Sequence, residues 1–180
     1  MQLSKKGVTT LMAATLLSTT LSASDVTGVL ELKYGIADGK AISYTDTASD
    51  TTSALHLSFG AEQEKYNTRT LINFKPIRWE DADADLFSLS VDYMHQLDPK
   101  TQLFGGLGLG TMTYEAKNMR NRETVYTAQA GANYTLSQNY YLTANMNYIY
   151  TNDIRIQKSQ YLYSELENLL GVEVGIGFRW

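Results

Sequence analysis

Residues 169–180 read Leu-Leu-Gly-Val-Glu-Val-Gly-Ile-Gly-Phe-Arg-Trp. Leu170, Val172, Val174, Ile176, Phe178 and Trp180 occupy every second position, and Gly171, Glu173, Gly175, Gly177 and Arg179 fall between them. A period of two belongs to a strand, whose side chains alternate between two faces. One face of this strand is wholly apolar and the other is small or charged. The apolar row runs to the aromatic residue at position 180. Such a strand needs an apolar medium on one side, and hydrocarbon provides one.

The pattern recurs upstream. Leu30, Leu32, Tyr34 and Ile36 alternate with Glu31, Lys33 and Gly35; Leu55, Leu57, Phe59 and Ala61 alternate with His56, Ser58, Gly60 and Glu62. Thr70, Ile72 and Phe74 face away from Arg69, Asn73 and Lys75, and Phe87, Leu89, Val91, Tyr93 and Leu97 face away from Ser88, Ser90, Asp92 and Met94. Leu103, Leu107 and Leu109 oppose Phe104, Gly106, Gly108 and Gly110. Tyr126, Ala128, Ala130, Ala132 and Tyr134 oppose Thr127, Gln129, Gly131 and Asn133. Tyr140, Leu142, Ala144, Met146, Tyr148 and Tyr150 oppose Thr143, Asn145 and Asn147.

Eight strands are separated by long polar segments at 38–52, 80–85, 116–122 and 151–164. Short turns lie near Tyr66-Asn67, at Asp98-Pro99-Lys100 and at Ser137-Gln138-Asn139. Long and short connections in alternation predict an all-β fold, an eight-stranded antiparallel up-and-down transmembrane β-barrel with tight periplasmic turns and longer extracellular loops. Pro76 cannot donate to a ladder, so a bulge or strand end at the rim is expected there, with the face of Ile77 and Trp79 left open.

Glycine and charge set the orientation. Gly35, Gly60, Gly106, Gly108, Gly110, Gly131, Gly171, Gly175 and Gly177 share a face with Glu31, Lys33, Asp92, Glu173 and Arg179. A narrow interior is filled by small and large residues in alternation, and charges there can pair. In hydrocarbon each charge would cost about 2–4 kcal/mol near the midplane. The apolar face therefore points outward, the reverse of a soluble lipocalin-type barrel. Tyr34, Tyr93, Tyr140, Tyr148 and Tyr150 fit interfacial girdles.

Lys5 and Lys6, the apolar run 8–21 and the small residues Ser22 and Ala23 have the order of a secretory signal. Residues 1–23 are expected to be cleaved, leaving a mature barrel of residues 24–180 in the outer membrane of a Gram-negative cell. Length allows one domain, and no window approaches the roughly 18 apolar residues of a spanning helix. Cysteine is absent, which excludes disulfides and a lipid-anchored cysteine. The formal charge is −4, and loss of the two lysines makes the mature chain more acidic still, so nucleic acid is not an expected partner.

With a signal peptide, eight strands, inward charges and the terminal Val172, Val174, Ile176, Phe178 and Trp180, the mature chain resembles the small OmpA-like outer-membrane barrels. The resemblance implies that this last strand is the signal read by the barrel-assembly machinery. OmpA itself adds a peptidoglycan-binding domain; this chain stops at the barrel, and no cell-wall tether is inferred.

Glu31, Lys33, Lys75, Asp92, Glu173 and Arg179 form the best candidate constellation, either a plug of satisfied ion pairs or a narrow, gated ion path. Lys33 is expected near Glu173, with Glu31 and Arg179 joining them. His56 and Ser58 share a face, as in lipid-A deacylases of this size, but they point into the lumen and no third member is identifiable. Glu80, Asp81, Asp83 and Asp85 lack the glycine and final glutamate of a calcium loop. Gly106-x-Gly108-x-Gly110 precedes no helix and is not a phosphate loop.

The expected protein is a monomeric, non-enzymatic outer-membrane barrel without cofactor or metal. It meets outer-membrane lipid and lipopolysaccharide and uses the secretion and barrel-assembly machinery. Its role is structural or surface interaction through extracellular loops, with a small low-conductance porin and a lipid-A-modifying enzyme as alternatives.

Overall fold

The computed structural model describes residues 26–43, 46–79, 82–116, 119–151, 154–159 and 162–180. The expected signal peptide, Glu80 and Asp81 lie outside them. Ten strands follow in order: β1 (Val26–Ser43), β2 (Asp46–Gln63), β3 (Thr68–Arg78), β4 (Ala82–Gln96), β5 (Thr101–Ala116), β6 (Met119–Thr135), β7 (Tyr140–Tyr150), β8 (Ile154–Ser159), β9 (Leu162–Leu166) and β10 (Leu169–Arg179). β1 to β7 pair each with the next, all antiparallel. β10 pairs with both β7 and β1, so these eight strands form a closed barrel.

Closure is staggered. Moving across the ladder from Gly28 leads to Ala61, Thr70, Val91, Leu107, Ala128, Tyr148 and Leu170, then back to β1 at Asp38, ten residues beyond the start. A stagger of this kind tilts the strands by roughly 35–45° to the barrel axis.

Alternation holds around the wall. Leu32, Ile36, Leu57, Phe59, Leu107, Leu142 and Val174 are exposed on the outside, while Glu31, Lys33, Ser58, Arg69, Asp92 and Glu173 are at most 1% exposed within. Outward apolar and inward charged residues are the arrangement of a membrane barrel. Tyr93 and Tyr140 sit near the end carrying the short turns, and Tyr148 and Tyr150 near the opposite end. Tyr34 departs from the girdle expectation: it lies in mid-strand, opposite Leu55 and Val174.

The short turns form as their residues require. Glu64–Tyr66 is a single 3-10 turn closed by Asn67 in the left-handed region at φ 51°, a conformation asparagine tolerates. At the next turn the Asp98 carboxylate accepts the backbone N–H of Lys100 at 2.8 Å and of Thr101 at 2.9 Å. These bonds to the ionised form hold the Asp98 carboxyl below its ordinary range.

The segments expected as long loops are largely strand. β1 and β2 stay paired out to Ser43 and Asp46, and β5 and β6 out to Ala116 and Met119. β4 begins at Ala82, inside the expected acidic loop, and β8 and β9 form a hairpin within 151–164 and just beyond it. Above a membrane both faces can meet water, so apolar alternation fades while the backbone ladder continues. Pro76 lies near the end of β3, as one of the two expectations had it, but no bulge forms there. β3 runs through it to Arg78, and Ala54–Ile77 and Leu57–Phe74 share one register. The missing N–H shows only as a gap in the β2 ladder between those pairs.

At the hairpin end the inward residues change from polar to apolar. Ala54, Ile77, Ala84, Leu86, Met112, Tyr114, Val125, Ile149 and Leu169 form one buried cluster with Ile154 of β8 and Leu166 of β9. Trp79 packs against it, so the face left open for Ile77 and Trp79 is the inner one. Thr151 donates its hydroxyl to the Leu166 carbonyl at 3.1 Å, tying the last hairpin down. Among the described residues the hairpin end of the interior is thus apolar.

Candidate functional site

Below the apolar core the interior is polar and arranged in tiers. The lowest lies near the short turns, where Arg179 Nε donates to Glu62 Oε2 at 2.8 Å and Nη2 to Gln102 Oε1 at 3.3 Å. The Arg179 guanidinium also covers the Tyr141 ring at 4.1 Å. β10 supplies the arginine from its last position and β2 the carboxylate from its lower end. The tier therefore forms only once β10 has closed the barrel.

The middle tier centres on Arg69. Its Nη1 is 2.5 Å from Glu31 Oε1, and its Nε and Nη2 donate to Asp92 Oδ2 at 3.0 and 2.8 Å. Lys33 Nζ donates to Glu31 Oε2 at 2.9 Å, the Tyr141 hydroxyl to Glu31 Oε1 at 2.7 Å, and Gln129 Nε2 to Asp92 Oδ1 at 2.7 Å. The Arg69 guanidinium stacks over Phe104 at 4.5 Å. Buried charges need this density of hydrogen bonds to offset lost hydration. Glycine leaves the room: a Cβ on Gly106 would strike the Asp92 carboxylate, and one on Gly177 the Tyr141 ring.

The upper tier joins His56, Lys75 and Glu173. Glu173 Oε1 is 2.7 Å from Lys75 Nζ, and Oε2 is 2.8 Å from His56 Nδ1. Lys75 also donates to Asn147 Oδ1 at 2.8 Å. His56 Nε2 faces Asn73 Oδ1 and Ser58 Oγ, each at 3.1 Å, and Asn73 Nδ2 donates to Ser90 Oγ at 2.9 Å.

The six residues singled out from sequence all line the interior but do not make one network. Glu173 stands opposite Gly35 and Lys33 opposite Gly175, so Lys33 reaches Glu31 and Lys75 takes Glu173. Arg179 lies a tier below Glu31 and takes Glu62. The sequence reading missed Arg69 as the hub, along with Glu62, His56 and Tyr141 as members. Parity placed the first three inward; cross-strand register, invisible in one sequence, decides who meets whom. Outside the lumen, Asp83 and Asp85 of the acidic stretch pair with Arg78, at 3.6 and 2.7 Å.

Ser58, His56 and Glu173 do supply the third member the sequence lacked: hydroxyl, imidazole and carboxylate lie in sequence through His56. Their setting differs from an open hydrolase site. Ser58 is 0% exposed, Nε2 is shared with Asn73, and Glu173 is engaged by Lys75.

A closed antiparallel eight-stranded wall, apolar outside and ion-paired inside, defines a small membrane barrel. Solved structures bear out that class. Neisserial surface protein A matches with TM-score 0.60 and 16% identity, covering 84% of this chain and 95% of that one. The N-terminal barrel domain of Pseudomonas aeruginosa OprF matches with TM-score 0.57 and 14% identity, over 87% of this chain and 98% of that domain. Ail, the attachment invasion locus protein of Yersinia pestis, matches with TM-score 0.50 and 16% identity, over 85% and 99%. No family model matches the chain, and no curated protein matches it in sequence. The fold is that of the small OmpA-like outer-membrane barrels.

Proposed function

We propose that this chain is a non-conducting, non-enzymatic barrel of the Gram-negative outer membrane that acts through its long hairpins. The single observation that supports this reading is the mutual pairing of the inward charges beneath a buried apolar cluster. Glu31, Glu62, Asp92 and Glu173 are matched by Lys33, Arg69, Lys75 and Arg179, and the hairpin end is closed by apolar side chains. A pore of eight strands has room for little else. What differs from a smooth rod is then the paired strand extension at the hairpin end, which is where a surface partner would meet it. Two of the similar structures, Neisserial surface protein A and the attachment invasion locus protein, carry surface roles in their names.

In this reading residues 1–23 direct export, and Val172, Val174, Ile176, Phe178 and Trp180 present the assembly signal before closure. The tight turns lie in the periplasm, and the monomeric barrel contacts lipid and lipopolysaccharide. Refolded protein in a planar bilayer is expected to give no discrete conductance steps. Steps abolished by Lys33→Ala or Glu173→Ala would overturn the plugged reading in favour of a small porin.

The Ser58–His56–Glu173 order is the one observation that favours an enzyme. Hydrolysis of lipid A by the refolded protein, lost on His56→Ala, would establish that activity; no hydrolysis is expected, because the serine faces a packed interior.

A further inference from the structure

The barrel closes at the seam between β1 and β10, and the two ends of that seam are fastened differently. At the hairpin end β9 follows on from β10 beside β1, with Ala41 opposite Leu166 and Ser43 opposite Ser164. At the short-turn end the ladder runs out at Val29 and Arg179, with one further exchange of backbone hydrogen bonds between Gly28 and Trp180, at 3.0 and 3.2 Å. Strand ends are where a sheet opens first. Side chains cross this end of the seam on both faces. Inside, Arg179 reaches past β1 to Glu62 of β2, with Nε to Oε2 at 2.8 Å and Nη2 to Oε1 at 3.3 Å. Nη2 also meets Gln102 of β5, and the guanidinium covers the Tyr141 ring of β7. Outside, the Trp180 ring occupies the place a Cβ on Gly28 would take, and it stacks on Phe59 of β2 at 5.9 Å. Phe178 lies 6.0 Å from Trp180 and 5.1 Å from Tyr140 of β7, so one aromatic row crosses the seam from β7 to β2.

We propose that Arg179 and Trp180 form a two-sided latch, which shuts after the rest of the barrel has folded and sets how long the closed seam survives. Consecutive residues of a strand point to opposite faces, so one dipeptide can hold both sides of the wall. Neither half can form early. Glu62 lies 117 positions from Arg179 in the chain and Gln102 lies 77 positions from it, and neither β2 nor β5 is a ladder neighbour of β10. Contacts so far apart gain nothing until the strands between them have paired. An interaction absent from the folding transition state leaves the folding rate alone and slows unfolding. Gly28 serves the outer half, because only a residue without a side chain leaves the Trp180 ring room to cross β1.

Folding and unfolding rates of the full chain in lipid vesicles, followed by circular dichroism in urea, test this. Glu62→Gln keeps the shape of the inner half and removes its charge, whereas Gly28→Ala puts a methyl group beneath the Trp180 ring. Each should speed unfolding by about tenfold and leave folding within about twofold of the parent. Because both halves sit on one dipeptide, the double variant should unfold little faster than the faster single variant. Should Gly28→Ala not fold, Trp180→Leu takes its place in the same cycle. Unchanged unfolding rates, folding slowed as much as unfolding is sped, or a double variant whose acceleration is the product of the two would overturn the proposal. The refolding reaction contains no assembly machinery, so its outcome does not depend on how β10 is read during assembly.

Discussion

Arg69→Met is expected to lower the unfolding free energy of the refolded barrel by about 3–5 kcal/mol, enough to abolish folding if the parent is marginal. Arg69 is 0% exposed and is the cation shared by Glu31 and Asp92. Methionine fills much of the volume but leaves two carboxylates facing each other in a closed interior. Lys33 and Tyr141 still support Glu31, whereas Asp92 keeps only Gln129 as a polar side-chain partner among the described contacts. The burden therefore falls mostly on Asp92. Adding Asp92→Asn to the Arg69→Met background should recover part of the loss, although the same change in the parent should destabilise. Urea titrations of all four proteins complete the cycle. Additive losses would mean that the ion pair contributes nothing of its own.

Glu173→Ala is the second large effect, again about 3–5 kcal/mol. The carboxylate joins β10 to β2 through His56 and to β3 through Lys75, so its removal strands a buried ammonium. Among the described contacts only Asn147 then remains for Lys75. A Glu173→Leu/Lys75→Leu double variant replaces the pair by apolar volume and should lose less than the sum of its single changes. The stability deficit of Glu173→Ala should also persist at high salt, because the pair is shielded from solvent ions. A deficit that vanished in salt would place the pair at a wetted surface.

How far these features were legible follows from what each depends on. Alternation and glycine parity are local, and they sufficed for eight strands and for the two faces of each. The inward placement of Glu31, Lys33, Lys75, Asp92, Glu173 and Arg179 came from parity alone. Partner choice did not, because Lys33 and Glu173 were close candidates until the register set Gly175 and Gly35 between them. The apolar core at the hairpin end was hidden for another reason. Leu86, Met112, Val125 and Ile149 occupy the inward parity that lower down carries polar groups, so they break the rule that identified the wall. The strand extensions were masked likewise, since 38–43, 46–52 and 119–122 lack a continuous apolar row yet pair as ladder. Tyr34 shows the limit for girdles: residue type alone does not give depth in the membrane.

The central claim is that the apolar parity meets lipid and the charged parity meets the lumen. The chain contains no cysteine, so single cysteines can be placed one at a time along β10, from Leu170→Cys to Ile176→Cys, and labelled with a fluorophore. After refolding into vesicles with a quencher on the lipid tails, quenching should be strong at 170, 172, 174 and 176 and weak at 171, 173 and 175. The opposite phase, or no alternation along the strand, would contradict the account.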